Sequence, residues 1–424
     1  MFFISTCFAA INFNQWDINL HALTILVILL GLFAFGVGEI TTRRMFGKYN
    51  KNKSASAKTK ISLLQPSMPI EFKKSFLVFL NIFMLFITYM YYRQVLKIAQ
   101  SVGYTAGSDI PMLKFFRAAT LSQNNMDFQG SFIVTQGVIL SYGFTYIILY
   151  VLIFNILFFG FKKSYVYYFT PIILFLVQAV LTGGRTQFLY LIAASFIISS
   201  ILFNIKHGWN KRKNAVLIKK FLIIASLVLI AFYCLGTLTG KTETFSFYDT
   251  ISIYVGSSIV AFDIFLNKGI ASGTGLLFGQ NTLFGIYDIL ERFGLGNYHM
   301  IKEAAFVNIG PYETNIYTSY MRYILDFSIF GLLMMQFFIG SLFSFIYMVI
   351  KTKNKMGFLV IMYAIIFQVI IESPIEERLF MNIFSIGYII RLTLIYLIFF
   401  IMVKKKNNLS IMSRVKKIQV NKCE

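Results

Sequence analysis

Apolar runs of membrane-crossing length recur along the chain, broken by short polar stretches. Leu20–Ile40, Ser75–Tyr92, Val134–Phe159, Tyr165–Leu181, Phe188–Ile205, Phe221–Leu238, Ile324–Ile350, Met356–Ile371 and Phe380–Met402 each come near the roughly 20 residues that a helix needs to span hydrocarbon. Residues 1–10 are apolar but short, and they lack the positive n-region of a signal peptide, so they read as a short or start-trimmed first span. A polar break over residues 12–19 follows, with Trp16 at interface depth. The pattern predicts an all-α polytopic membrane protein of about ten transmembrane helices. Its domain organisation is a single transmembrane domain (1–424), with one long loop (239–323) and a basic tail (403–424). Within that loop, Ile251–Leu266 and Ile270–Leu290 are apolar but bordered or interrupted by Asp249, Asp263 and Asp288. They read as short helices lying at the interface. As two further spans they would raise the count to 12 without changing parity.

Composition supports this class. Hydrophobic residues make up 57% of the chain and charged residues 13%, and mean hydropathy is +0.71, far from the soluble average. A net charge of +22 in a soluble chain would point to nucleic acid. Here 27 of the 39 Lys and Arg lie in alternate loops on the side of the C-terminal tail, 11 lie on the other side, and Arg391 lies mid-span. Lys and Arg stay on the cytoplasmic side, so the tail is expected to be cytoplasmic, the long loop outside, and nucleic acid no partner. Cys7, Cys234 and Cys423 are too scattered for a disulfide framework or a metal site.

The candidate chemistry belongs to the outer loops. Arg185 sits in the tight turn Thr182-Gly183-Gly184-Arg185-Thr186, Arg322 at the entrance of a span, and Arg378 in another short turn. Planar guanidinium forks suit phosphate and pyrophosphate if they converge; single interfacial arginines otherwise snorkel to lipid headgroups. Arg292 and Arg117 are explained as well by solvated loop charge. Glu313, Asp326 and His299 are the acid–base candidates, since a positioned carboxylate or imidazole can take the proton of a weak nucleophile. Glu303 and the acids between Glu372 and Glu377 read as a solvated rim. Asp326 precedes an apolar run and lies four residues after Arg322, one helical turn on, so it reads equally as a base or as an arginine-orienting group. Arg391, mid-span, is expected to have a structural partner such as a carbonyl or Gln368. The chain carries no HExxH, CxxC, Gly-x-Ser-x-Gly or GxxxxGK[ST] motif, so no cofactor and no metal are expected.

The run Glu313-Thr314-Asn315-Ile316-Tyr317-Thr318, then Arg322, Leu325-Asp326-Phe327 and Gly331, resembles the signature of Wzy-type O-antigen polymerases, and the Gly183-Gly184-Arg185 turn is similar to their Gly/Ser-Arg turn. The number of spans and the late dominant loop also resemble that family's plan. The resemblance implies a GT-C-like glycosyltransferase bundle in the bacterial inner (plasma) membrane. Such proteins join undecaprenyl-pyrophosphate-linked oligosaccharide repeat units, in O-antigen and surface polysaccharide biosynthesis, at the periplasmic face. Arg185 and Arg322 would meet the pyrophosphate, with Arg378 beside them by the topology argument. Glu313, Asp326 or His299 would act on the acceptor, and Asn315, Tyr317, Thr318 and Arg292 would contact substrate. Membrane lipids, a chain-length regulator and a flippase are the implied partners. An O-antigen ligase, with His299 as its outer-loop histidine, and a non-enzymatic lipid-linked oligosaccharide flippase or transporter stay open as alternatives.

Overall fold

The computed structural model describes residues 1–54, 66, 68–108, 110–121, 131–183, 186–210, 212–219, 221, 223, 246–267, 277–298, 304–383 and 385–404. Among these residues eight helices are long and apolar enough to cross a membrane, and the only sheet is a two-stranded hairpin. Seven of the eight coincide with expected spans: Ala22–Gly47, Lys74–Ser101, Phe132–Phe159, Lys163–Leu181, Thr186–Lys206, Ser319–Lys353 and Ile386–Val403. The expected span Phe221–Leu238 lies almost wholly outside the described residues. Phe2–Ile11 and Phe358–Glu372 are apolar helices of 10 and 15 residues.

The eighth long helix, Phe247–Asn267, extends the apolar stretch Ile251–Leu266 to a length that could cross a membrane, the alternative that the sequence left open beside an interfacial helix. It has 21 residues, and its small polar positions pack inward. A Cβ on Gly256 would lie 3.0 Å from the backbone nitrogen of Ala9, so the helix Phe2–Ile11 rests directly on it. Trp16, expected at the interface, is buried against the same glycine. Asp263 is also buried, and its carboxylate accepts from the His21 backbone N–H (2.9 Å), the His21 ring (2.9 Å) and the Thr24 hydroxyl (2.6 Å). These contacts tie the start of the helix Ala22–Ser54 to Asp263 and give the buried carboxylate the partners that burial demands. In the second ambiguous stretch, expected as a helix over Ile270–Leu290, residues 270–276 lie outside the described residues, turns run to 283, and the helix is confined to Phe284–Arg292.

The chain divides into two compact units. Unit 1 comprises Met1–Ser62, Thr244–Lys355 and Ile365–Ile389. Its spine is the pair Ala22–Ser54 and Ser319–Lys353. A Cβ on Gly38 would fall 2.2 Å from the Phe337 carbonyl oxygen, and one on Gly340 would fall 2.2 Å from that of Phe35. The backbones therefore touch, as small residues allow between helices in lipid, where packing rather than apolar burial drives association. Ser341 and Ser344 donate across the seam to the carbonyls of Gly38 and Glu39, at 3.2 and 3.3 Å.

Unit 2 comprises Leu63–Glu243, Met356–Ala364 and Ile390–Glu424. The helix Phe132–Phe159 is its most buried span. Asn155 on it makes two hydrogen bonds to the backbone of Ile70, at 2.9 and 2.8 Å. Arg391 lies over the Tyr142 ring, 4.7 Å from its centroid. Tyr142 is thus one partner of this mid-span guanidinium, through a cation–π contact.

Candidate functional site: two arginines on one polar cavity

The site is built within unit 1, where the hairpin hands over to the helix Ser319–Lys353. Val307–Ile309 and Tyr312–Thr314 pair antiparallel, with Val307 opposite Thr314, Asn308 opposite Glu313 and Ile309 opposite Tyr312. Gly310 takes the positive φ (53°) that a two-residue hairpin turn requires, before Pro311. Asn315 to Thr318 then lead into the helix, whose first N–H, on Ser319, donates to the Ser373 carbonyl at 2.9 Å.

The helix is broken at Ser328, with φ 61° and ψ −173°, a region that side chains other than glycine's rarely enter. Here Phe327 turns back over the helix. A Cβ on Gly331 would sit 1.9 Å from that of Phe327, so the glycine makes room for the kink. Phe327 packs on Phe278 with ring centroids 4.9 Å apart. One residue earlier, Asp326 accepts from the backbone N–H of Asn281 (3.1 Å), the Asn281 amide (2.9 Å) and the backbone N–H of Thr282 (2.5 Å). Arg322 and Thr282 complete the clasp: Arg322 donates to the Asn281 carbonyl at 3.3 Å, and the Thr282 hydroxyl donates to the Arg322 carbonyl at 3.3 Å. Asp326 thus holds the 281–282 turn, and Arg322 is steadied by that turn.

Arg322 is buried, its side chain only 4% exposed. It lines a polar cavity of about 300 Å³ together with Asn315, Tyr317, Thr318, Glu376, Glu377 and Arg378. Glu376 stands between the two arginines, with one oxygen 2.6 Å from Arg378 and the other 4.0 Å from Arg322. Tyr317 donates its hydroxyl to the Ala305 carbonyl at 3.0 Å. Thr318 is 2% exposed, and its hydroxyl is buried with no hydrogen-bond partner. A second, mostly apolar cavity of about 260 Å³ lies alongside, lined by Leu32, Phe35, Ile339 and Phe367 among others, and it shares Glu376, Glu377 and Arg378 as wall.

Glu377 departs from the solvated rim expected of the 372–377 acids. It is 1% exposed and caps the short helix Leu379–Ile383. Its carboxylate accepts from the N–H groups of Leu379 (2.9 Å), Phe380 (3.0 Å) and Met381 (3.0 Å), and from the Tyr323 hydroxyl (3.1 Å). Burial pushes the Glu377 carboxyl above its ordinary value, against the pull of these donors and of Arg322. The available signal was position: an acid directly before a short apolar helix is a cap candidate.

The structure brings Arg322, Arg378, Asn315, Tyr317 and Thr318 to one cavity, with Asp326 bracing Arg322 through the Asn281–Thr282 turn. Glu313 lies exposed on the hairpin, and Arg292 lies exposed and pairs with Asp288 at 3.0 Å; neither lines the cavity. Arg185 and His299 lie outside the described residues. The roles of Asn281 and Thr282 were missed from sequence because they come from contacts with residues 40 or more positions away, and that of Glu376 because Arg322 approaches it from 54 positions away. Among the described residues no three His, Cys, Asp or Glu side chains gather as a metal-ligand set. No family model, curated protein or solved structure matches this chain.

Proposed function

We propose that this protein is a Wzy-type polysaccharide polymerase. In this reading it joins undecaprenyl-pyrophosphate-linked oligosaccharide repeats at the periplasmic face of a bacterial inner membrane. The observation that carries the proposal is the convergence of Arg322 and Arg378, from segments far apart in sequence, on one polar cavity beside an apolar one. A guanidinium pair fits pyrophosphate, and an adjoining apolar cleft fits the first part of a lipid tail. The acceptor hydroxyl oxygen attacks the anomeric carbon of the donor sugar, and the bond from that carbon to the pyrophosphate oxygen breaks. The lipid pyrophosphate leaves with the bonding electrons, and the arginines meet its growing charge. Arg185, from its tight turn, is assigned to the same pyrophosphate on the sequence resemblance. Asp326 is occupied by the 281–282 turn, so the hydroxyl proton falls to Glu313 or His299 on the long loop.

Deleting the gene and running surface polysaccharide on a gel tests this reading. A polymerase deletion leaves lipid A core carrying one repeat. Bare core would identify a ligase instead, and loss of even the single repeat with undecaprenyl-linked units held inside would identify a flippase.

A further inference from the structure

Glu376 lies in the wall of the polar cavity beside both of its arginines. Its two oxygens face two different guanidiniums, Arg378 at 2.6 Å and Arg322 at 4.0 Å. It also belongs to the wall shared by the polar and apolar cavities. Its backbone is held in a turn by a 2.9 Å hydrogen bond from its N–H to the Glu372 carbonyl. The side chain is 32% exposed, which leaves it room to rotate. Glu377, by contrast, is buried and committed to four donors, so it does not compete for the arginines in the same way.

We propose that Glu376 is a displaceable carboxylate. It bridges Arg322 and Arg378 and closes the wall between the two cavities until a phosphate-bearing ligand with an apolar tail takes its place. With Glu376 seated, two guanidiniums face two carboxyl groups, and an entering diphosphate meets a like charge at close range. Rotation of one side chain removes that repulsion, frees both forks for phosphate oxygens and joins the polar chamber to the apolar one. The buried, unpartnered Thr318 hydroxyl on the polar wall supplies a further donor for a phosphate oxygen. The inference deepens the function proposed above in its anion-binding part, and it needs no polymerase activity to be tested.

The test uses the full chain in nanodiscs of phosphatidylcholine, with inorganic pyrophosphate and farnesyl pyrophosphate as calorimetric probes. Wild-type protein should bind the farnesyl compound more tightly than pyrophosphate, because only the former fills the apolar chamber. Glu376→Gln removes the competing charge and should tighten both by about tenfold. Glu376→Asp, which is too short to bridge both guanidiniums, should tighten both by a smaller factor, and it serves if the Gln variant misfolds. Unchanged or weaker binding in the folded Gln variant, or in the Asp variant where the Gln variant misfolds, makes Glu376 a fixed brace and overturns the proposal. Equal affinity for the two probes removes the joined-cavity part of it. Failure of both probes to bind any variant overturns both this proposal and the pyrophosphate reading. Tightening in a protein whose deletion leaves polymer intact preserves the proposal and overturns only the polymerase.

Discussion

Replacing Asp326 by Asn separates two roles that the sequence left open. The carboxylate accepts three hydrogen bonds from Asn281 and Thr282. An amide keeps one acceptor oxygen and turns an NH2 group toward a donor, so at least one charge-assisted bond is lost. Such a bond contributes about 1.5–3 kcal/mol. The Asn281–Thr282 turn should loosen by that amount, lowering the melting temperature of purified protein by a few degrees. It should also make the segment between Asn281 and Asp326 more sensitive to trypsin. Because Arg322 leans on the Asn281 carbonyl, polymer formation should fall by about tenfold and recover in part at lower temperature. A proton acceptor would behave differently, losing about 10²- to 10⁴-fold in rate with no change in melting. That outcome, an unaltered melting temperature and trypsin pattern with polymer abolished, would refute the anchoring role.

Arg322→Ala should cost about 2–4 kcal/mol of transition-state stabilisation, roughly 30- to 1000-fold in rate, with Arg322→Lys rescuing only in part because a point charge cannot replace the fork; Arg185→Ala is expected to match it, and reconstituted polymerisation reads both. Gly340→Leu would drive a side chain into the Phe35 carbonyl and break the backbone contact, costing about 1–3 kcal/mol or more, read as a lower half-life in detergent, with Gly340→Ala milder. Burial holds the Glu377 carboxyl above its ordinary value of 4.5, so the folded protein keeps this proton longer than the unfolded chain does. The stability it contributes is full below pH 4.5 and falls as pH rises through the raised value; Glu377→Gln should flatten that slope in melting curves taken across the acid range.

The span pattern was legible because hydrocarbon imposes a length and an apolar character on each crossing helix. It was ambiguous at Phe247–Asn267, where Asp263 argued against burial, yet Asp263 is buried there. The carboxylate's partners, His21 and Thr24, lie more than 230 residues away and leave no local trace. The cavity was half legible. Arg322, Asn315, Tyr317 and Thr318 are close in sequence, and chain direction alone keeps them near one another. Arg378 could be placed only by counting loops. The acids beside it were read as surface because acidic runs usually are, yet Glu377 is a buried cap and Glu376 pairs with Arg378 and lies 4.0 Å from Arg322. Gly331 looked like one more signature letter. Its physical meaning, space for Phe327 at a kink, needed the Ser328 backbone to be seen.

The clasp between Asp326 and the Asn281–Thr282 turn has a consequence for how this protein can diversify. It ties together positions 44 and 45 residues apart, so the helix and hairpin between them form a closed ring whose two ends are anchored beside Arg322. Lengthening a closed loop raises its entropic cost only logarithmically, by about 0.6 kcal/mol per doubling. Insertions within the ring, away from Ala304–Ala305 and Asn315–Thr318, which line or brace the cavity, therefore cost little at its base. The length of the ring can thus vary while the base that holds Arg322 stays fixed.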